Sequence, residues 1–253
     1  MSHAFAAPAE PFAVRTSDGV DLAGTRLGEA DPAVVLCHGF SGWHTKARSA
    51  LLAGTLSRWF TVYAFDFRGH GASGGATTFG ALEIHDVQAV LTKAREDGHE
   101  RVAAIGSSMG GVAAIRHAAL LDGVDAVVAI SAPARWDGHD SHGVRRMAWV
   151  AATRRGRQVA RAFGVRVAER IERPETPEDV IGKIAPVPVL VVHGRDDHYF
   201  DEEEAWRLYR RAGEPKRLWL ASRFGHAEDG FSDELAERLA RYLYGAWGLP
   251  WPG

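Results

Sequence analysis

The chain has 253 residues, 46% of them apolar and 25% charged, enough for one α/β domain with a large buried core and an insertion. Its formal net charge of −2 recommends neither nucleic acid nor an anionic membrane as a partner. The one cysteine, Cys37, excludes an internal disulfide. No apolar run reaches the roughly 18 residues of a membrane span, and Met1 to Phe12 lacks the basic and apolar regions of a secretory leader, so a cytoplasmic protein is expected.

Phe12 to Arg15 and Val20 to Arg26, joined at Ser17-Asp18-Gly19, predict a hairpin, because Asp-Gly supplies a tight reversal. Ala33 to Cys37 is a continuous apolar run, the mark of a strand buried on both faces, and a thiol inside it reads as a packing residue. A helix is expected over Lys46 to Arg58, a strand over Thr61 to Phe67 and a glycine-rich turn over Arg68 to Gly75. The spacing of Ile84, Val87, Val90 and Leu91 predicts a helix over Leu82 to Glu96. Arg101 to Ile105 is of strand length, and Gly111 to about Leu121 is a helix of small residues. Between the two lies Gly106-Ser107-Ser108-Met109-Gly110, a G-x-S-x-G sequence at a strand-to-helix turn, which lifts its serine clear of the sheet. Val124 to Ile130 is the next strand. Strands alternating with helices predict a mostly parallel sheet with helices on both faces.

The rhythm stops after Ser131. From Ala132 to about Asp179 no strand is evident, ten arginines occur, and Met147, Val150, Ala151 and Val159 keep helical spacing. We read this segment as a helical cap inserted between two sheet strands. It divides the chain into a core of residues 1–131 and 180–253 and a cap of residues 132–179. Beyond it, Val187 to Val192 is a buried strand, Asp201 to Arg211 a helix, Arg217 to Leu220 a last strand and Phe231 to Tyr244 a closing helix.

A serine hydroxyl needs a base within reach to act as a nucleophile, and an imidazole suits that task near neutral pH. Ser108 stands at the apex of the turn, with Ser107 the rival before it; His226, in a loop past the last strand, is the candidate base. A carboxylate should orient the imidazole from the end of the Val187–Val192 strand, where Asp196 and Asp197 both qualify. The backbone N–H of Met109, at a helix N-terminus, is a candidate oxyanion donor.

Four places carry a resemblance: His38-Gly39-Phe40; Asp66-Phe67-Arg68-Gly69-His70-Gly71-Ala72-Ser73; the serine turn; and His193-Gly194-Arg195-Asp196-Asp197 with Gly225-His226. With them the chain resembles the α/β-hydrolase family from about Phe12 to Tyr244. The resemblance implies the order serine, acid, histidine, with the acid three residues after the glycine, hence Asp197. It also implies the Phe40 N–H as the second oxyanion donor, and His38 and His70 as braces of their loops. A serine where relatives with epoxide hydrolase or haloalkane dehalogenase activity carry an aspartate argues against those chemistries.

Phe40, Trp43, Trp136, Met147 and Trp149 could line an apolar acyl pocket or be ordinary core. His85, Asp86 and His117 fall on predicted helices and read as packing or surface residues. Asp137, His139, Asp140 and His142 cluster in the cap at no standard metal spacing, so neither metal nor cofactor is expected. The expectation is a serine hydrolase acting on a small acyl substrate through an acyl-enzyme, with a carboxylic ester foremost. A thioesterase, a peptidase or C–C hydrolase, and a ligand-binding receptor on the same fold are the alternatives.

Overall fold

The apolar runs become the strands of one eight-stranded sheet: β1 (Ala9–Arg15), β2 (Asp21–Leu27), β3 (Ala33–Cys37), β4 (Thr61–Phe65), β5 (Val102–Ser107), β6 (Ala126–Ile130), β7 (Val189–Gly194) and β8 (Lys216–Ala221). The computed structural model describes residue 5 and residues 7–252; the segment examined for a leader, Met1 to Phe12, lies in part outside them. The strand order is β1-β2-β4-β3-β5-β6-β7-β8. The first two strands form the predicted hairpin, Arg15 facing Asp21, and β2 pairs antiparallel with β4; every other pairing is parallel.

Alternation along the strands sorts the core into two layers. Val34, Val62, Ile105, Val128 and Leu190 point to the face covered by α1 (Ala47–Leu56) and α8 (Asp233–Ala246), through Leu52, Leu56, Leu235 and Leu239. Val35, Tyr63, Ala104, Val127 and Val191 point to the other face. There α2 (Glu83–Glu96), α3 (Met109–Leu120) and α7 (Glu202–Arg211) supply Val87, Leu91, Ile115, Ala205 and Leu208. A central strand covered on both sides has no solvated face, which is why these segments read as unbroken apolar runs.

The chain steps from β4 back across β3 to β5, so the order of addition reverses beside β3. In open parallel sheets that reversal leaves a crevice beyond the carboxyl ends of the strands. The loops that follow β3, β5, β6, β7 and β8 all emerge there. One of the bounding turns is locked by Arg68. Its backbone and guanidinium donate to buried Asp86 on α2 at 2.7–2.9 Å and to Asp18 in the hairpin at 2.7 and 2.9 Å.

Between β6 and β7 lie α4 (His142–Ala152), α5 (Arg154–Ala162) and α6 (Pro177–Val180). Ser141 and Thr153 cap the first two, accepting from Val144 N and Gly156 N. α6 and the 3-10 turn after it pack back onto α3, whereas α4 and α5 pack chiefly on each other over the strand ends. The descending limb is stitched to the turn after β4: Arg166 N donates to Gly69 O and Thr77 N to Arg166 O, both at 2.8 Å. No helix among the described residues is long and apolar enough to cross a membrane.

Candidate active site

Ser108 sits between β5 and α3 with φ 51° and ψ −116°, a backbone region that non-glycine residues adopt only when the surroundings force it. Its N–H donates to Ile130 O at 2.8 Å and its carbonyl accepts from Val112 N at 3.0 Å, so both neighbouring elements hold the turn. The flanking glycines are required by contact. A Cβ at Gly106 would lie 2.2 Å from Gly110 O, and one at Gly110 would lie 2.1 Å from Cys37 O. The same closeness brings the start of α3 against the loop that follows β3.

Two backbone donors meet there. Among the described residues, neither the N–H of Met109 nor that of Phe40 donates a hydrogen bond within the protein. The loop carrying Phe40 is fixed from below by two histidines. Phe67 N donates to His38 Nε2 at 2.9 Å, which leaves Nδ1–H to donate to Gly39 O at 2.7 Å. Burial, with His70 alongside, pushes His38 down to about 3, so the ring stays neutral. His70 Nε2 lies 2.5 Å from Phe40 O. Gly39 O shares its peptide with the Phe40 N–H, so holding that carbonyl on His38 turns the N–H to the opposite side.

His226, after β8, has Nδ1 2.8 Å from Asp197 Oδ2. Asp197 has a fully buried side chain, and its Oδ1 accepts from the N–H groups of Tyr199 and Phe200 at 2.8 and 3.1 Å. Burial alone would raise this carboxyl, but the bond and charge of His226 and the two backbone donors bring it below its ordinary value. An ionised carboxylate only accepts, so Nδ1 of His226 carries the proton and Nε2 is the free base. The loop is anchored behind the ring, where Ala227 N donates to Ser131 Oγ at 3.0 Å. Tyr199 lies against the imidazole, with centroids 4.4 Å apart, and is backed by Gly143 of α4. No hydrogen bond joins Ser108 to His226 among the described residues. Both open into one cavity, and such bonds often tighten only when substrate is bound.

Ser108, Phe40 and Met147 border two cavities. One, of about 480 Å³, is walled by Phe79, Met109, Val112, Trp136 and Phe200, with Arg135, Arg157 and Arg173 also on its wall. The other, of about 600 Å³, holds His226, Tyr199, Trp43, Lys46, Arg146, Trp149 and Glu228. The three predicted tryptophans are therefore divided. Trp136 faces the first cavity and ties its Nε1–H to Pro174 O at 2.7 Å. Trp43 lies in the second beneath the Lys46 ammonium, and Trp149 stands exposed at its rim.

Other candidates go to separate partners. Asp137 pairs with Arg173, Asp140 with Arg145, and His139 lies 3.5 Å from buried Glu204. Asp196 is exposed and bears only a backbone bond, from its N–H to Phe224 O. Asp86 is buried on α2 against Arg68, and His117, fully buried on α3, has Nε2 2.8 Å from Gln88 Oε1. Sequence reasoning missed Glu204, which is buried at the start of α7 and accepts from Ala134 N, Arg135 N and the Arg135 guanidinium. An acid in the first turn of a helix reads as a surface group, so its pattern carried no signal. The N–H bonds to Asp197 did have one: an aspartate that closes a turn onto the residues two and three ahead.

A family model described as the alpha/beta hydrolase family matches residues 34–250. Among curated proteins the chain is similar to the uncharacterized protein YfhR of Escherichia coli K12, 27% identical over 89% of this chain and 75% of that one. It is also similar to the uncharacterized protein YqkD of Bacillus subtilis, 28% identical over 85% and 72%. Among solved structures an esterase of Pyrococcus furiosus superposes with a TM-score of 0.75 at 25% identity, over 94% of this chain and 93% of that one. A putative aryl esterase of Burkholderia cenocepacia superposes at 0.73 and 18% identity, over 94% and 100%, a likeness of fold.

Proposed function

The chain belongs to the alpha/beta hydrolase family, and within it we propose a serine hydrolase that cleaves carboxylic esters through an acyl-enzyme. One observation carries the reading: the bonded Asp197–His226 pair opens into the same cavity as Ser108, on a strained turn beside two unpaired N–H groups. The likeness to the P. furiosus esterase supports the choice of an ester.

The roles follow from the atoms. His226 Nε2 takes the Ser108 proton as Oγ adds to the acyl carbon, and Asp197 holds the imidazolium without accepting its proton. The new oxyanion accepts from the Phe40 and Met109 N–H groups; losing one such donor costs about 3 kcal/mol of barrier. The proton on Nε2 must next reach the leaving oxygen, so the leaving group belongs in the cavity that His226 lines. The acyl group then belongs in the other, against Phe79, Met109, Val112 and Trp136. On this reading the acyl part is apolar and compact, while the leaving group meets Lys46, Arg146 and Glu228. Water later attacks the acyl-enzyme by the same route in reverse.

A fluorophosphonate should label Ser108 and fail on Ser108→Ala. A panel of esters, thioesters and amides with matched acyl groups should give its highest kcat/KM with esters. Labelling at Ser107, or a label that survives Ser108→Ala, would overturn the assignment. A thioester preference would move the reading to a thioesterase, and one equivalent of product without turnover would move it to a receptor.

A further inference from the structure

The two helices that roof the site have a charge pattern that the net charge of the chain conceals. Residues 141–168 contain seven arginines and no aspartate or glutamate, in a chain of net charge −2. Arg145 pairs with Asp140, and Arg157 and Arg166 donate to backbone carbonyls. Arg146, Arg154, Arg155 and Arg161 form no ion pair among the described residues, and all four are exposed. Beside them stand large apolar side chains in water: Phe163 is 70% exposed, Trp149 43% and Val159 40%. These three come from both helices and the turn after α5, yet all border the cavity that holds Ser108 and His226. The apolar side chains therefore rim an opening that Arg146 also borders; Arg155 stands one helical turn before Val159, and Arg154 and Arg161 lie on the outer face of the same helix.

We propose that this rim docks on the surface of an anionic phospholipid bilayer. Any apolar partner would satisfy the phenyl and indole rings, and any polyanion the guanidinium groups. The two together, around a cavity mouth, fit a surface that is anionic at the depth of the phosphates and apolar just beneath. Aromatic side chains settle at that boundary, and a guanidinium pairs a phosphate through two parallel hydrogen bonds. Docked in this way, the opening faces the leaflet, and an ester with a lipid-soluble part reaches Ser108 without crossing water.

Full-length protein is sedimented with vesicles of phosphatidylcholine alone and of equal parts phosphatidylcholine and phosphatidylglycerol. The expected result is binding at least about 10-fold tighter to the anionic vesicles, weakening as salt is raised, on the scale of the attraction of arginine to anionic leaflets. Arg154→Glu with Arg155→Glu and Arg161→Glu should abolish that preference. Phe163→Asp should weaken binding to anionic vesicles by a similar factor, and both variants should keep the wild-type circular dichroism spectrum. If the triple variant does not fold, Arg155→Gln with Phe163→Ser gives the same contrast with milder changes. Equal binding to both vesicles, no binding to either, or binding indifferent to these substitutions would overturn the proposal. So would a rim that captures an acidic protein while ignoring vesicles. Vesicle binding does not depend on catalysis, so its failure is distinct from a failure of the esterase reading, which the short-ester assay measures separately.

Discussion

The strand-end edge of the sheet and the helical hairpin above it are built on opposite terms. At the edge, polar side chains carry several partners: Asp197 accepts from His226, Tyr199 and Phe200, and His38 bridges Phe67 N and Gly39 O. In α4 and α5 only Val150, Gly156 and Ala160 are buried. The first region holds its geometry because each atom is fixed from several directions. The second has little to fix it and exposes the side chains that would touch a substrate or a surface. Chemistry that tolerates small errors in position poorly belongs on the first, and selection among partners on the second.

The comparison breaks most visibly at Ser108. Ser108→Ala should lower kcat by about 10⁴-fold or more while leaving the melting temperature near wild type. Asp197→Asn should cost a comparable factor by favouring the wrong imidazole tautomer. Exposed Asp196→Asn should leave steady-state rates nearly unchanged, and equal losses at the two positions would undo the assignment.

Stability should show the next contrast. Gly110→Ala forces a methyl group against Cys37 O, 2.1 Å away, and should cost about 3 kcal/mol or more by urea unfolding. Phe163→Ala, in the hairpin, should stay within about 0.5 kcal/mol of wild type. Similar values at the two sites would mean that the hairpin is part of the cooperative core.

Acid should act on the core through its neutral histidines. Burial brings His117 down to about 4, so in the fold it stays neutral where the unfolded chain is already protonated. The unfolded state then binds more protons, and stability falls as pH drops from about 6.5 toward 4. At pH 5 the loss should be on the order of 2 kcal/mol for this one group. His117→Leu should shrink the difference in unfolding free energy between pH 7 and pH 5 by that amount; an unchanged difference would rule His117 out as its source.

The smallest effect should separate two tryptophans of the roof. Trp136→Ala should shift relative kcat/KM between short and longer acyl esters by about 1 kcal/mol, the lower end for a pocket side chain. Trp149→Ala should change that ratio less, since Trp149 stands at the rim of the cavity assigned to the leaving group. A larger effect at Trp149 would exchange the two cavities.

The core was legible because burial on both faces leaves a plain trace. Ala33 to Cys37 and Val189 to Val192 could be little else, and the serine turn announces itself by its glycines. Pairing order was not legible, since nothing in Val62 or Tyr63 says that β4 lies between β2 and β3. The predicted strand through Phe67 stops at Phe65 because Asp66 and Arg68 turn aside to bond His44 and Asp86. The roof was least legible. Ten arginines in one segment suggest a solvated face, yet Arg135 is spent on buried Glu204 and shares a cavity wall with Arg157 and Arg173. Trp43, Trp136 and Trp149 look alike in sequence, and only the return of the chain over the strand ends sorts them into two cavities.

Gly143 is a residue that any redesign of the roof would have to keep. A methyl group there would overlap the Tyr199 ring at 2.3 Å, and that ring is the wall against which the imidazole rests. Other hairpins could be grafted above this sheet with different aromatic residues, lengths and charges. A graft with a side chain at that one point would push the wall into the imidazole, and a roof rebuilt for a new ligand would disturb the Asp197–His226 pair for a reason unrelated to the ligand.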